Sequence, residues 1–358
     1  MRFPEFSGEW EYHELQSIAP KISSGKDKPN NEGTVVLYGS TGIMGHTTTE
    51  SYKSEIVIVA RVGANAGQLQ LVDIPCGVTD NALVVDAKSW NKYVFYYLQH
   101  FNLNKLVFGS GQPLITGGML KKIKIWAGNN VERNKIVHLL SLMEERIDTQ
   151  KKIIEDLKKL KDAITHSHYK NELLHSSMAY IGQYITQVSK RNKDAKIDRV
   201  LSVSNKYGFI NQDEQFEDRE VASADTSNYK VVHKGDFAYN PARINVGSVA
   251  RLQEFENGIV SPMYVCFTAK KGLLPAYFEL YLSTSIFKQE MNKRLEGSVR
   301  LCLTYESLCN IKIALPEFNV QKDFVSKVSA ILTKIRAEER LLYLYHNCKQ
   351  YLLSQMFI

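Results

Sequence analysis

The chain has 358 residues, a formal net charge of +7, and 44% hydrophobic against 23% charged residues. This is the balance of a globular protein, and its length predicts two or three domains at roughly 100–200 residues each. Disordered, collagen-like and low-complexity readings are excluded. No window approaches 18 uninterrupted apolar residues, so no membrane-spanning helix and no membrane partner are predicted, and the opening Met1–Trp10 lacks the apolar core of a signal peptide. The five cysteines (Cys76, Cys266, Cys302, Cys309, Cys348) contain no Cys-x-x-Cys pair. That argues against a disulfide framework or a zinc site and fits a reducing cytoplasm.

Residues 1–130 read as a first globular segment, ending in the turn Gly128-Asn129-Asn130. Residues 131–166 follow as one long helix. Ile136, Leu140, Met143, Ile147, Ile154, Leu157 and Ile164 recur at intervals of three, four and seven, with no Gly or Pro among them. Such spacing makes a coiled-coil seam, or else a stripe packed on a globular core. Eight basic and seven acidic residues cover the other faces of 131–165. His166-Ser167-His168 reads as a polar exit from the helix.

Residues 167–315 read as a second globular segment. Within it, 292–313 repeats 104–125 at an offset of 188, with nine of 22 positions identical, among them Gly109/Gly297, Ser110/Ser298 and Thr116/Thr304. Upstream, Tyr277-x3-Tyr281-Leu282 repeats Tyr93-x3-Tyr97-Leu98, and Arg243-Ile-Asn-Val-Gly247 faintly echoes Arg61-Val-Gly-Ala-Asn-Ala-Gly67. Residues 316–358 close the chain as a second helix. Adding 188 to each seam position gives Phe324, Val328, Ile331, Ile335, Leu342, Tyr345 and Leu352, all apolar. One half is a diverged copy of the other, at a period too long for a solenoid.

The expected fold class is therefore α+β: two similar globular domains separated by two long helices, a pseudo-twofold internal repeat. Domain termini are commonly close together. The second globular segment lies between the helices in sequence, so they are expected to run antiparallel as a coiled coil. Thirty-five residues make a rod of about 52 Å. The seam is interrupted by Gln150 and Lys161, and by Glu338 and Lys349 at the repeated positions. Even overlap sets Gln150 opposite Glu338, a polar pair suited to fixing register.

At this point the chain resembles the specificity (S) subunits of type I restriction–modification systems, along essentially its whole length. The opening Arg2-Phe-Pro-Glu-Phe-Ser-Gly-Glu-Trp10 is similar to the family's frequent start. Leu201-Ser-Val-Ser-Asn-Lys-Tyr-Gly-Phe209 and Gly235-Asp-Phe-Ala-Tyr-Asn-Pro-Ala-Arg-Ile-Asn-Val-Gly247 resemble phrases of its second recognition domains. Leu315-Pro-Glu-Phe-Asn-Val-Gln321 resembles the start of its second helix, with Val320 where Glu is usual; the first helix has no such proline, and Glu132-Arg133 replaces Glu-Gln. The resemblance implies two target-recognition domains (1–130 and 167–315) and two helices (131–166 and 316–358). It implies double-stranded DNA as ligand, with two modification (methyltransferase) subunits docked on the helices and restriction (translocase) subunits joining them. S-adenosylmethionine, ATP and Mg2+ are then used by those partners, and this chain is non-catalytic.

Two heads on a spacer suit a split DNA site, and about 52 Å spans roughly 15 base pairs. Base recognition calls for Arg on guanine and Asn or Gln on adenine, while phosphates take Lys, Arg and hydroxyls. The candidates in the first head are Ser40, Thr41, Arg61, Asn65 and the loop Ser110-Gly111-Gln112. In the second they are Ser204, Asn205, Lys206, Tyr207, Arg243, Asn245, Ser298 and Arg300, with Lys190, Arg191 and Lys193 as phosphate holders. The repeated Gly109/Gly297 and Thr116/Thr304 read as scaffold, because two heads reading different bases would not share their readers.

Phe108-Gly-Ser-Gly111 superficially resembles a methyltransferase loop, but its partial recurrence favours a structural turn. Asn240-Pro-Ala-Arg243 lacks the second proline and stacking aromatic of an amine-binding motif, and no phosphate-binding Gly-x4-Gly-Lys-Ser/Thr loop is present. The competing reading is a two-headed adaptor that binds protein partners instead of DNA.

Overall fold

The computed structural model describes residues 2–106, 113–212, 226–297 and 300–357. It divides into two compact units. Unit 1 comprises residues up to 152 together with 339 onward, and unit 2 comprises 153–338.

Unit 1 runs β1 (Glu11–Glu14), α1 (Leu15–Ile18), β2 (Lys21–Ser24), β3 (Val35–Gly39), β4 (Gly42–Thr47), β5 (Ile56–Ala60), β6 (Leu69–Val72), β7 (Cys76–Val78), β8 (Ala82–Asp86), α2 (Asn91–Phe101), α3 (Gly117–Lys121), β9 (Lys124–Ala127) and the first part of α4 (Asn130–His175). β5 reads Ile-Val-Ile-Val-Ala and every residue is buried. Successive side chains point to opposite faces of a strand, so β5 and β8 divide two cores. Val57, Val59, Leu83 and Val85 join the large cluster under α2. Ile56, Ile58, Ala82 and Val84 join a smaller one with Tyr52 and Cys76. Continuous β-branched burial on both faces explains why this strand lacks polar alternation.

Unit 2 continues α4, then β10 (Ser177–Tyr180), α5 (Ile181–Tyr184), β11 (Ile185–Val188), β12 (Val200–Ser204), β13 (Gly208–Asn211), β14 (Lys230–His233), β15 (Phe237–Tyr239), β16 (Val249–Arg251), β17 (Asn257–Val260), β18 (Val265–Ala269), α6 (Pro275–Leu282), α7 (Ser285–Asn292), α8 (Tyr305–Cys309), β19 (Lys312–Leu315) and α9 (Phe318–Met356). Its sheets repeat those of unit 1. The order β2-β8-β5-β6 returns as β11-β18-β15-β16, and β4-β3-β7 returns within β13-β12-β17-β14. The outer pairs β1–β9 and β10–β19 are both antiparallel. Even the extra strand β14 has a trace in unit 1, where Tyr52 bridges Cys76 on β7.

The repeated residues are scaffold in both units. Thr116 accepts the Met119 amide and caps α3, while Thr304 accepts the Ser307 amide and caps α8. Tyr93 and Tyr277 fill the centres of their respective cores. Gly109 and Ser110, like Ser298, lie outside the described residues, as do the Phe108–Gly111 resemblance and Gln112.

The long helices differ from expectation at one end. α4 continues to His175, nine residues past the expected limit at 166. His166-Ser-His168 is thus mid-helix, not a polar exit. His168 stacks on Phe324 with ring centroids 3.7 Å apart and shares a 3.1 Å hydrogen bond with the Tyr277 hydroxyl. This aromatic packing lets the helix run on into the second core.

In unit 1, Lys349 Nζ donates to Glu144 Oε1 (2.5 Å) and the Arg146 guanidinium lies 6.0 Å from the Tyr345 ring. Rising numbers on α4 meet falling numbers on α9, so the two segments are antiparallel there. These contacts, and His168 on Phe324 in unit 2, lie within about one helical turn of even overlap. Fully buried seam positions are Ile136, Leu140, Ile147, Gln150, Ile154, Phe324, Val328, Ile335 and Glu338. Met143, Leu157, Ile164, Ile331, Leu342, Tyr345 and Leu352 are half-buried.

Candidate nucleic-acid interface

Among the described residues each unit contains one pair of parallel strands, β3–β7 in unit 1 and β12–β17 in unit 2. Parallel strands end on the same side. The hairpin that follows β3 and the loop that follows β7 are therefore brought to one edge of unit 1. The chain leaving β5 arrives there too, because Ala60 pairs with Ala82 at the start of β8. The same three connections converge in unit 2, where Tyr239 of β15 pairs with Val265 of β18.

In unit 1 the junction is Asn81. Its carbonyl accepts from the Ser40 hydroxyl (2.6 Å) and from the Arg61 amide (3.1 Å). Gln70 donates to the Gly39 carbonyl and braces the same hairpin. Ser40, exposed Thr41 and Arg61 are thus assembled in one place. Arg61 donates to the Ser24 hydroxyl at 3.3 Å, while its buried Nε has no hydrogen-bond partner. A guanidinium held at one end in this way is suited to a contact with a base edge or a phosphate. Asn65 lies one turn further on and accepts from Gln68 at 2.9 Å.

In unit 2 the hairpin tip Asn205-Lys206-Tyr207 is exposed. A Cβ built on Gly247 would stand 3.6 Å from Asn205 Cβ, so the turn carrying Arg243 and Asn245 lies against this tip. Gly247, directly after one short 3-10 turn, and Gly67, two residues after another, both have φ near +90° (92° and 90°), a conformation that glycine adopts without strain. Lys206 Nζ sits 4.7 Å from the Tyr207 ring centroid, and its hydrogen bond to Tyr207 raises its pKa. The ammonium is charged throughout the physiological range. Arg243, Asn240 and Met263 line a cavity of about 220 Å³ between the three connections.

Other candidates lie elsewhere. Arg191 donates to the Asn228 carbonyl (3.1 Å) and bridges Lys230 on the β14 side of the sheet, away from the β12–β13 tip. Lys190 and Lys193 are exposed beside it. Arg300 is exposed, two residues before Cys302, which pairs with Glu296. The echo of Arg61 in Arg243 is also offset: Arg61 directly follows its strand, and the residue in that place in unit 2 is Asn240. Sequence reasoning missed Asn81, Gln70 and Asn240, which organise the convergence. Only pairing between distant strands identifies them.

Residues 7–173 match the type I restriction modification DNA specificity domain. Over that stretch the chain is similar to type I restriction–modification specificity subunits. A type I specificity subunit of Mycoplasma genitalium is 25% identical, over 60% of this chain and 62% of its own length. The EcoprrI specificity subunit of Escherichia coli is also 25% identical, over 35% of this chain and 31% of its own length. The chain thus spans less than two thirds of the curated relatives it matches. The crystal structure of the S subunit of a type I restriction–modification system from M. genitalium shares the fold, with a TM-score of 0.61 and 17% identity, covering 100% of this chain and 99% of that one. No helix among the described residues is long and apolar enough to cross a membrane, and none of their acidic, His and Cys side chains group to hold a metal ion.

Proposed function

We propose that this chain is the sequence-reading subunit of a type I restriction–modification complex. Each head reads one half of a split DNA site, and because the heads differ the site is asymmetric. The observation that carries this reading is the repeated convergence of three connections in a chain bearing the DNA specificity domain. In one unit it gathers Ser40, Thr41 and Arg61; in the other, Asn205, Lys206, Tyr207, Arg243 and Asn245. These residue types suit base edges and phosphates.

In this reading the chain supplies no catalytic group and works in the cytoplasm. Two modification subunits dock on the outward faces of the two long helices, and restriction subunits join that assembly. S-adenosylmethionine, ATP and Mg2+ belong to those partners. Two modest modules linked in one chain reinforce each other through effective concentration, so a net charge of only +7 suffices.

The test is to sequence methylated bases in cells carrying the chain with its partner subunits. The expected result is a split motif with a modified adenine in each half. A complex with no salt-sensitive affinity for duplex DNA overturns the reading and leaves the two-headed protein adaptor.

A further inference from the structure

Both recognition hairpins hold out large apolar side chains that the fold does not use. In unit 1, Ile43 is 63% exposed and Met44 57% exposed, immediately after the tip at Ser40 and Thr41. In unit 2 the corresponding hairpin presents Tyr207, 67% exposed. These are matched places: β4 and β13 each pair antiparallel with the first member of the parallel strand pair. Fully burying such a side chain is worth about 1.5–3 kcal/mol, and more than half of each surface is left in water.

The side chains are also held in position. Met44 lies over Gly39, where a Cβ would meet its Cγ at 2.5 Å. Tyr207 carries the Lys206 ammonium against its ring. Each apolar group is therefore flanked by polar ones, the Ser40 and Thr41 hydroxyls in one unit and Asn205 and Lys206 in the other. Polar flanks suit a phosphate backbone. The apolar group does not: on duplex DNA its apolar counterparts are deoxyribose faces, base steps and thymine methyl groups, and of these only the last two carry sequence.

We infer that Ile43 and Met44 in one unit, and Tyr207 in the other, are specificity-determining contacts made directly to bases. Tyr207 inserts at a base step and stacks on a base face, and the aliphatic pair packs on thymine methyls. Lys206 and the hairpin hydroxyls anchor the neighbouring phosphates. This deepens the DNA-reading proposal and rests on it. It also predicts that each half-site contains at least one position read by shape and apolar contact.

The experiment uses the complete complex with its modification subunits, on duplexes carrying the motif found by methylation sequencing. Ile43→Ser/Met44→Ser and Tyr207→Ser are compared with the unaltered chain. All three positions are exposed, so melting temperatures and assembly with the modification subunits should be unchanged. The expected result is a five- to twentyfold fall in the ratio of specific to random-duplex affinity for each variant, with an unchanged salt slope. Each variant should lose discrimination in one half-site only. Replacing thymine by uracil in the half-site read by unit 1 should weaken the unaltered complex and leave the Ile43→Ser/Met44→Ser complex unaffected. Specificity ratios equal to that of the unaltered chain overturn the inference. So does loss of assembly with the modification subunits, which would make the tips protein contacts. If the unaltered complex shows no sequence preference, the DNA-reading proposal itself fails, a separable outcome.

Discussion

Arg61, a reader in the proposed function, is ordered without any ligand. Its amide is fixed on Asn81 and one guanidinium nitrogen on Ser24, while Nε stays buried without a partner. Ordering such a side chain in advance lowers the entropy lost on binding. Arg61→Ala should therefore lower specific affinity about 10- to 100-fold and relax one position of the motif, as expected for a loss of about 1–3 kcal/mol per forked base contact. Arg191 is a contrast. If it meets only phosphates, Arg191→Ala should weaken specific and random duplexes alike and reduce the salt slope by about one. Titrating duplex at several salt concentrations separates the two behaviours.

A second residue-scale prediction concerns His168. Burial against Phe324 lowers its pKa below the usual histidine value, with Glu172 acting in the opposite direction and Lys327 reinforcing the fall. Tyr277 shares its hydrogen bond. The folded state therefore prefers the neutral ring. Its contribution is complete above the unfolded value near 6.5 and is lost as pH falls through the lowered value. Melting temperatures from pH 7.5 down to 5 should show this decline, and His168→Phe should reduce it.

At the scale of elements, the two long helices begin differently although they are copies. α9 is tied by fully buried Gln321, which donates to the Gly272 and Pro316 carbonyls (2.9 Å each) and accepts from the Leu274 amide (2.8 Å). At the same repeat position α4 has Arg133, which lies 3.6 Å from the Trp90 ring centroid and donates to Asn130. Its neighbour Glu132 is fully buried and holds Arg2 at 2.6 and 2.7 Å. One helix start is thus satisfied by an amide and the other by a stacked guanidinium and an ion pair. Gln321→Ala strands three backbone groups and should cost about 3 kcal/mol, read as a fall in urea midpoint. The seam gives a paired control. Leu140→Ala, at a fully buried position, should cost about 3 kcal/mol. Leu142→Ala, at an exposed one, should change stability by less than about 0.5 kcal/mol.

For the whole molecule, the repeat of sheet order between the two units has a direct consequence. A chain in which the second head (177–315) replaces the first (11–127) would carry two equal readers. Its target should change from an asymmetric split motif to a palindromic one. Methylation sequencing reads this outcome, and retention of the original first half-site would contradict it. Lengthening both helices by whole turns should change the gap between half-sites and leave the half-sites intact.

The sequence alone determined the duplication, the two long helices and the apolar stripe on each. These are periodic signals written in local order, with the seam at intervals of three, four and seven and the repeat at 188. The scaffold role of Thr116 and Thr304 was legible because the two copies share them; that each caps a helix was decided by the structure. Tertiary structure decided the rest. That α4 runs on to His175 depends on Phe324 and Tyr277, which lie more than 100 residues away in the chain. That Arg61 and Ser40 share Asn81, or that Arg243 lies beside Asn205, depends on a parallel strand pair delivering distant loops to one edge. Periodicity records which face of an element is buried; only strand pairing decides which loops meet.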